Sequence, residues 1–561
     1  MTALFVSHLK KRAGEGSMVK GGYARALVHG LMVVGLALPG SGGVARAEVT
    51  LFENLGTLHH EITTTSDLAQ KFFDQGIRLV YAFNHEEAIT AFTEASRLDP
   101  DAPMPYWGVA LSLGPNINAA MDPKVEPRAV EAVQKATARL SQATARERAY
   151  VEALAARYLA KKSVTRKVKD EAYAKAMRQV AGEAPDDADA ATLAAEAMMV
   201  LRPWDYWRAD GRPQPGTEEI VAILEAALRQ HPDHPGACHY YIHAVEASPD
   251  PQRALDCAKR LPSLMPGAGH LVHMPAHIYM RLGRYREASE RNATAAMVDH
   301  EYLSRHPLEG NYASGYYAHN LHFLNASLMM EGRSAEALQV ARDLLVKVPA
   351  DEIAKEPSLE WYAPTVLLTM ARFGQWGDLI RHPPPSKSLR LTTGLWHFSR
   401  GLAFAATTRF GSAEGELSNL RKAMKPFARA KTAEGKISRT MLKVAERILV
   451  GEMAARRGQY EAGIQALREA LQLEASLPYS EPPFWVQPVR HNLGAVLLLA
   501  ERPVEAEAVY REDLRLNPEN GWALHGLMQS LRAQNKDATQ EETRFRAVWA
   551  QADVTLTGSR F

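Results

Sequence analysis

A 34-residue period constrains this chain more than any other feature. Between Ala69 and Ala102, Gly76, Ala88, Phe92, Ala95 and Pro100 stand at the small and large packing positions of a helix–turn–helix unit. Gly494, Ala506, Tyr510 and Pro518 return at matching offsets between Gln487 and Asn520. Gly and Ala permit close helix approach, the aromatic ring fills the gap, and Pro stops the second helix. Partial copies read Leu282-Gly283-Arg284-Tyr285, Glu331-Gly332-Arg333, Phe373-Gly374-Gln375-Trp376 and Gly458-Gln459-Tyr460. A unit this short cannot bury its apolar face alone, so neighbours must stack. No run alternates apolar and polar residues long enough for a strand. The period predicts an all-α solenoid of helix hairpins.

The glycine-then-aromatic turn, the Ala about five residues later and the late Pro resemble the tetratricopeptide repeat (TPR) family. The resemblance covers most of residues 69 to 551. It implies a right-handed superhelix whose first helices line a concave groove. The opening stretch, from Leu58-His59-His60 through Tyr81-Ala82-Phe83-Asn84-His85 to Gly114-Pro115-Asn116, resembles exported bacterial TPR proteins. That likeness implies fold and compartment, not an activity. The expected organisation is a leader at 1–47, an N-terminal extension at 48–68 and a first array at 69–380. A Pro-rich linker at 381–393 and a second array at 394–561 follow. Residues 202 to 216 and 478 to 488 read as Pro-rich breaks, and 306 to 316 as an insertion.

Lys10, Lys11, Arg12, Lys20 and Arg25 precede an apolar run, Leu27 to Leu38, and the small-residue site Ala45-Arg46-Ala47. That order is a secretory leader. The run of 12 residues is short of a bilayer span. The reading is an exported protein, periplasmic or secreted, with no stable membrane insertion after cleavage. The formal charge of +2 over the whole chain becomes −3 once residues 1 to 47 are set aside. So balanced a chain offers nucleic acid no electrostatic footprint. An oxidising compartment permits a bridge between Cys238 and Cys257. The repeat register sets them about a turn apart, so two buried thiols are the other expectation.

Of the 20 histidines, 11 fall between His231 and His322. His239 and His243 are i and i+4 on one helical face, with Glu246 a turn beyond. His273 and His277 repeat the pair 34 residues later, preceded by His270. His319 and His322 follow on the next first helix. His239, His273, His491 and His525 share one position of the repeat, which the TPR resemblance places on the groove. Neutral imidazole is the commonest side-chain ligand for transition metals, and a helical i, i+4 pair offers two nitrogens to one ion. The candidate ligands are therefore His239, His243, Glu246, His270, His273, His277, His319 and His322, for zinc, copper or iron. Pro275 predicts a kink or late start in the helix carrying His277. The other reading of the cluster is a network satisfied by its own hydrogen bonds, or a polar pocket. Tyr240, Tyr279, Tyr317 and Asn320 would then bind a small polar ligand or a peptide.

Other features point less sharply. His59, His60 and Thr63 to Asp67 read as turn and cap residues, with a second possibility that His60 folds in to the central cluster. Trp204, Tyr206 and Trp207 read as a loop packed on the solenoid, or as a lid. There is no phosphate loop, nucleophile elbow, H-E-x-x-H helix or C-x-x-C pair. No catalytic residue is assigned. The sequence thus predicts a scaffold binding a protein, peptide or small polar ligand in its groove. Its competitor is a metal-binding protein or metal-dependent enzyme centred on His239, His243, His270, His273 and His277.

Overall fold

Phe92 shows why the repeats pack as they do. It is fully buried, and a Cβ on either Gly76 or Gly108 would strike its ring. The ring therefore wedges between the first helices of successive units, where any larger side chain would hold them apart. Tyr510 does the same between Gly494 and Gly526 near the other end. Helix starts are capped as the sequence suggests. Ser66 accepts from the Ala69 amide, Thr144 and Glu147 form a capping box, and Asn520 accepts from the Ala523 amide.

The computed structural model describes residues 49–161, 163–306 and 312–561. The predicted leader lies outside the described residues. Antiparallel hairpins follow one another from Asp67–Tyr81 with His85–Leu98 to Gly521–Arg532 with Thr539–Val548. The fold is an all-α, TPR-type solenoid. Among the described residues the one pairing of extended backbone is an isolated bridge, Trp207 to Pro213. None of their helices is long and apolar enough to cross a membrane.

Two departures from a plain array position the site. The N-terminal extension lies as a strap across several repeats. The Phe52 amide donates to Gln75 (2.7 Å), the Gly267 amide to the Asn54 carbonyl (2.7 Å), and the Thr63 amide to Glu147 (2.6 Å). His60 Nδ1 reaches Asp189 (2.7 Å), which also receives His234 (3.0 Å) and the Tyr81 hydroxyl (2.5 Å). His60 thus joins a buried carboxylate node, not the central histidines. Second, the C-terminal repeats fold back on the central ones. The Trp522 indole donates to the Met329 carbonyl (3.0 Å) and Asp553 accepts from the Ser334 amide (2.7 Å). A Cβ on Gly283, held at a φ of 72°, would strike the Pro518 carbonyl. Residues 49–561 form one compact unit.

Cys238 and Cys257 are bonded, with Cα atoms 5.1 Å apart. This corrects the out-of-register expectation. The chain enters the second helix, Leu255–Leu264, through a tight turn, Pro251–Ala254, which rotates Cys257 toward its partner.

Candidate metal centre

The helix Pro235–Val245 carries His239 and His243. The next first helix is broken, as Pro275 predicts. Gly269–His273 ends at Met274 and Pro275–Arg281 restarts with a new axis, so His270 and His273 precede the break and His277 follows it. His319 comes from Ala318–Glu331. Six imidazoles meet here, and His239, His243, His270, His273 and His277 are each no more than 2% exposed. They fill a buried interior rather than lining an open groove. Three groups have donor atoms all within 4.8 Å of one another: the histidine triads His239/His243/His270 and His273/His277/His319, and Glu246/His277/Glu481, which shares His277.

The outer nitrogens fix the tautomers. Tyr81 ends its helix, so its carbonyl has no intrahelical donor. His239 Nδ1 lies 2.7 Å from that oxygen and must donate, because a carbonyl only accepts. Asn292 gives its amide nitrogen to the Ala288 carbonyl (2.8 Å), which turns its oxygen toward His273 Nδ1 (2.6 Å). His243 Nδ1 lies 3.2 Å from one Glu246 oxygen, and the other oxygen makes a close ion-pair contact with His277 Nδ1 (2.5 Å). His239, His243 and His273 therefore turn their Nε2 lone pairs inward. His239 and His270 Nε2 are 3.1 Å apart, His273 and His277 Nε2 2.9 Å. His243 Nε2 has no hydrogen-bond partner. Donation of the outer ring N–H to a carboxylate, carbonyl or amide oxygen is the arrangement that orients metal-ligating histidines.

Charge follows the same pattern. Burial, reinforced by neighbouring imidazoles, holds His239, His243, His270, His273 and His319 well below the usual histidine range. They are neutral at pH 7, the form a metal binds. His277 differs. Burial opposes its charge, but Glu246 and Glu481 outweigh burial and lift it to about 10. Glu481 arrives from the Pro-rich break at 478 to 488, its carboxylate 3.4 Å from His277 Nδ1.

Aromatic rings wall the cluster. Phe83 lies 4.5 Å from His239 and 5.2 Å from His270, and Trp204 5.0 Å from His243. Tyr316 is 4.9 Å from His270, and Phe323 5.1 Å from His273. Phe83 (φ 56°) and Trp204 (φ 64°) both sit in the left-handed region, strain of roughly 1–3 kcal/mol each that surrounding packing must hold. The loop with Trp204 therefore walls the site, and Trp207 fastens it to the Ala244 carbonyl (2.7 Å).

Other predicted residues go elsewhere. His322 is not in either triad; its ring meets Tyr362 at 5.3 Å. Glu246 stands behind His243 and His277. Asn320 donates to Asp299 (2.7 Å), Tyr240 stacks on His239 (5.2 Å), Tyr279 lies under Arg284 (4.8 Å) and Tyr317 beneath Lys347 (5.1 Å). Sequence reasoning missed Glu481, Asn292, Phe83 and the Tyr81 carbonyl. Only the Pro-rich break hinted at the first.

No family model matches the chain, and no curated protein matches it. Among solved structures it is similar to human IFIT1, crystallised as a dimer with m7Gppp-AAAA, at 13% identity and a TM-score of 0.33 over 88% of this chain and 92% of that one. It is similar to yeast Tom70 at 13% identity and a TM-score of 0.29, over 87% and 92%. The P58(IPK) TPR domain follows at 13% identity and a TM-score of 0.20, over 83% and 98%.

Proposed function

We propose that the protein is an exported, TPR-type solenoid that holds transition metal in its central repeats. One observation carries this reading: three buried histidines, His239, His243 and His273, have their outer nitrogens held by oxygen acceptors and their inner lone pairs turned toward neighbouring imidazoles. Two lone pairs about 3 Å apart repel unless a cation lies between them. At His273 and His277 that cation is either a proton, which Glu246 and Glu481 favour, or a metal ion that displaces it. His243 Nε2 has neither. Zinc, copper and iron all suit an imidazole set.

The second reading is a scaffold whose partner is a protein, peptide or small polar ligand. Helical repeats support it in general. The engagement of Tyr240, Tyr279, Tyr317 and Asn320 inside the protein moves weight from a groove ligand to the metal.

Elemental analysis of the tag-free protein, followed by titration with Zn(II), Cu(I) and Fe(II), tests the proposal. The expected result is bound metal, lost in the combined His239→Ala and His273→Ala variant. The reading fails if no metal is retained and none binds, or if that variant binds as the wild type does.

A further inference from the structure

We propose that the cluster is a two-ion transition-metal centre: His239, His243 and His270 hold one ion, His273, His277 and His319 the other, and Glu246 positions both. This rests on the metal reading above and specifies its number and ligand sets.

Geometry separates the ions. Among the described residues, the histidine groups with donor atoms all within 4.8 Å keep the two triads apart. Each contains its own facing Nε2 pair, at 3.1 and 2.9 Å. Two nitrogens bound to one tetrahedral ion at about 2.1 Å lie about 3.4 Å apart, so each pair needs only a small outward shift to grip an ion of its own. Yet the triads abut, since His243 and His277 have ring centroids 5.4 Å apart, and His270 and His273 5.8 Å. Two ions would be neighbours.

Glu246 links them. One oxygen holds His243 of the first triad, the other His277 of the second. A change in one triad therefore reaches the other through a single rigid carboxylate.

The experiment uses copper as the probe ion: an anaerobic Cu(I) titration of the full chain against a chromophoric competitor, and paramagnetic resonance on a separate sample loaded with Cu(II). The wild type should take two copper ions per chain. Its Cu(II) form should show a half-field transition, or fewer spins than copper atoms, from the coupled pair. His319→Gln should retain one ion with a full, isolated spectrum. Glu246→Gln should weaken both ions by about 10- to 100-fold, while Glu481→Gln weakens only the second. One ion per wild-type chain, or two with independent spectra, overturns the paired centre and leaves the metal reading standing. No metal of any kind sinks both. Wild-type stoichiometry and spectrum decide the matter even if a variant misfolds.

Discussion

His273 and His491 share a repeat position and a residue type, yet meet opposite fates. His273 donates its Nδ1 proton to Asn292 and points a lone pair at His277. His491, in the C-terminal repeats, meets Arg372 at the end of the helix Thr365–Arg372; the guanidinium, which can only donate, lies 3.0 Å from His491 Nδ1, so the tautomer is reversed. The His491 Nε2 proton goes to Asp513 (2.9 Å), and both nitrogens are used. His525, one period later, packs against Phe545 at 5.4 Å. A histidine at the right place in a repeat is thus not a ligand by position. What lies behind the ring, an acceptor or a guanidinium, decides whether a lone pair is left over.

The sharpest break of that contrast is loss of the ion. His239→Ala and His273→Ala should each empty one triad, whereas His491→Ala should leave metal content unchanged by elemental analysis. Metal lost on His491→Ala would erase the distinction. Stability should run the other way. His491→Ala strands Asp513 and Arg372 as buried charges and should cost about 3–5 kcal/mol in urea unfolding. In the metal-free protein His273→Ala deprives Asn292 of one donor and should cost about 1–3 kcal/mol. Equal costs would mean the two sites are alike after all. Asn292→Ala keeps every ligand but frees the His273 ring. Ion affinity at its triad should fall about 10- to 100-fold, read by competitive titration, with the His491 network intact.

The last test is a pH slope. Asp299 lies against Gly269, at the start of the helix carrying His270 and His273. Burial lifts it to about 7, only partly offset by hydrogen bonds from Tyr312 and Asn320. The folded chain then keeps a proton that the unfolded chain loses near 3.8. Stability should fall as pH rises from about 4 to about 7, by about 1.4 kcal/mol per pH unit, and then level off. Asp299→Asn should flatten that stretch in denaturation curves taken across it. Asp513 has the reverse sign. Burial pushes it up, but the charge and hydrogen bond of His491 prevail and hold it low, so its contribution is lost as pH falls through its folded value.

The repeat and the doubled histidine pair are legible in the sequence because both are local. Gly76, Phe92 and Gly108 declare their contact through spacing, and Pro275 announces a break in any helix that contains it. The Cys238–Cys257 bond was misjudged because straight-helix register ignores the turn at Pro251–Ala254. Asn292 and Glu481 carry no such mark. One is a polar residue among many on a second helix, and the other comes from a break in the distant C-terminal array. Glu481 takes its role only once the C-terminal repeats dock, whereas Asn292 meets His273 within one hairpin. Burial of the cluster is hidden because its walls, Phe83, Trp204, Tyr316 and Phe323, come from segments far apart in the sequence.

Glu481 gives the centre an order of manufacture. The imidazoles are all synthesised long before it, yet the acid that holds His277 emerges only near the end of the chain. A nascent chain would carry six histidines without their closing counter-charge. On the proposed metal reading, full affinity for the ion would then arise only after this late segment docks.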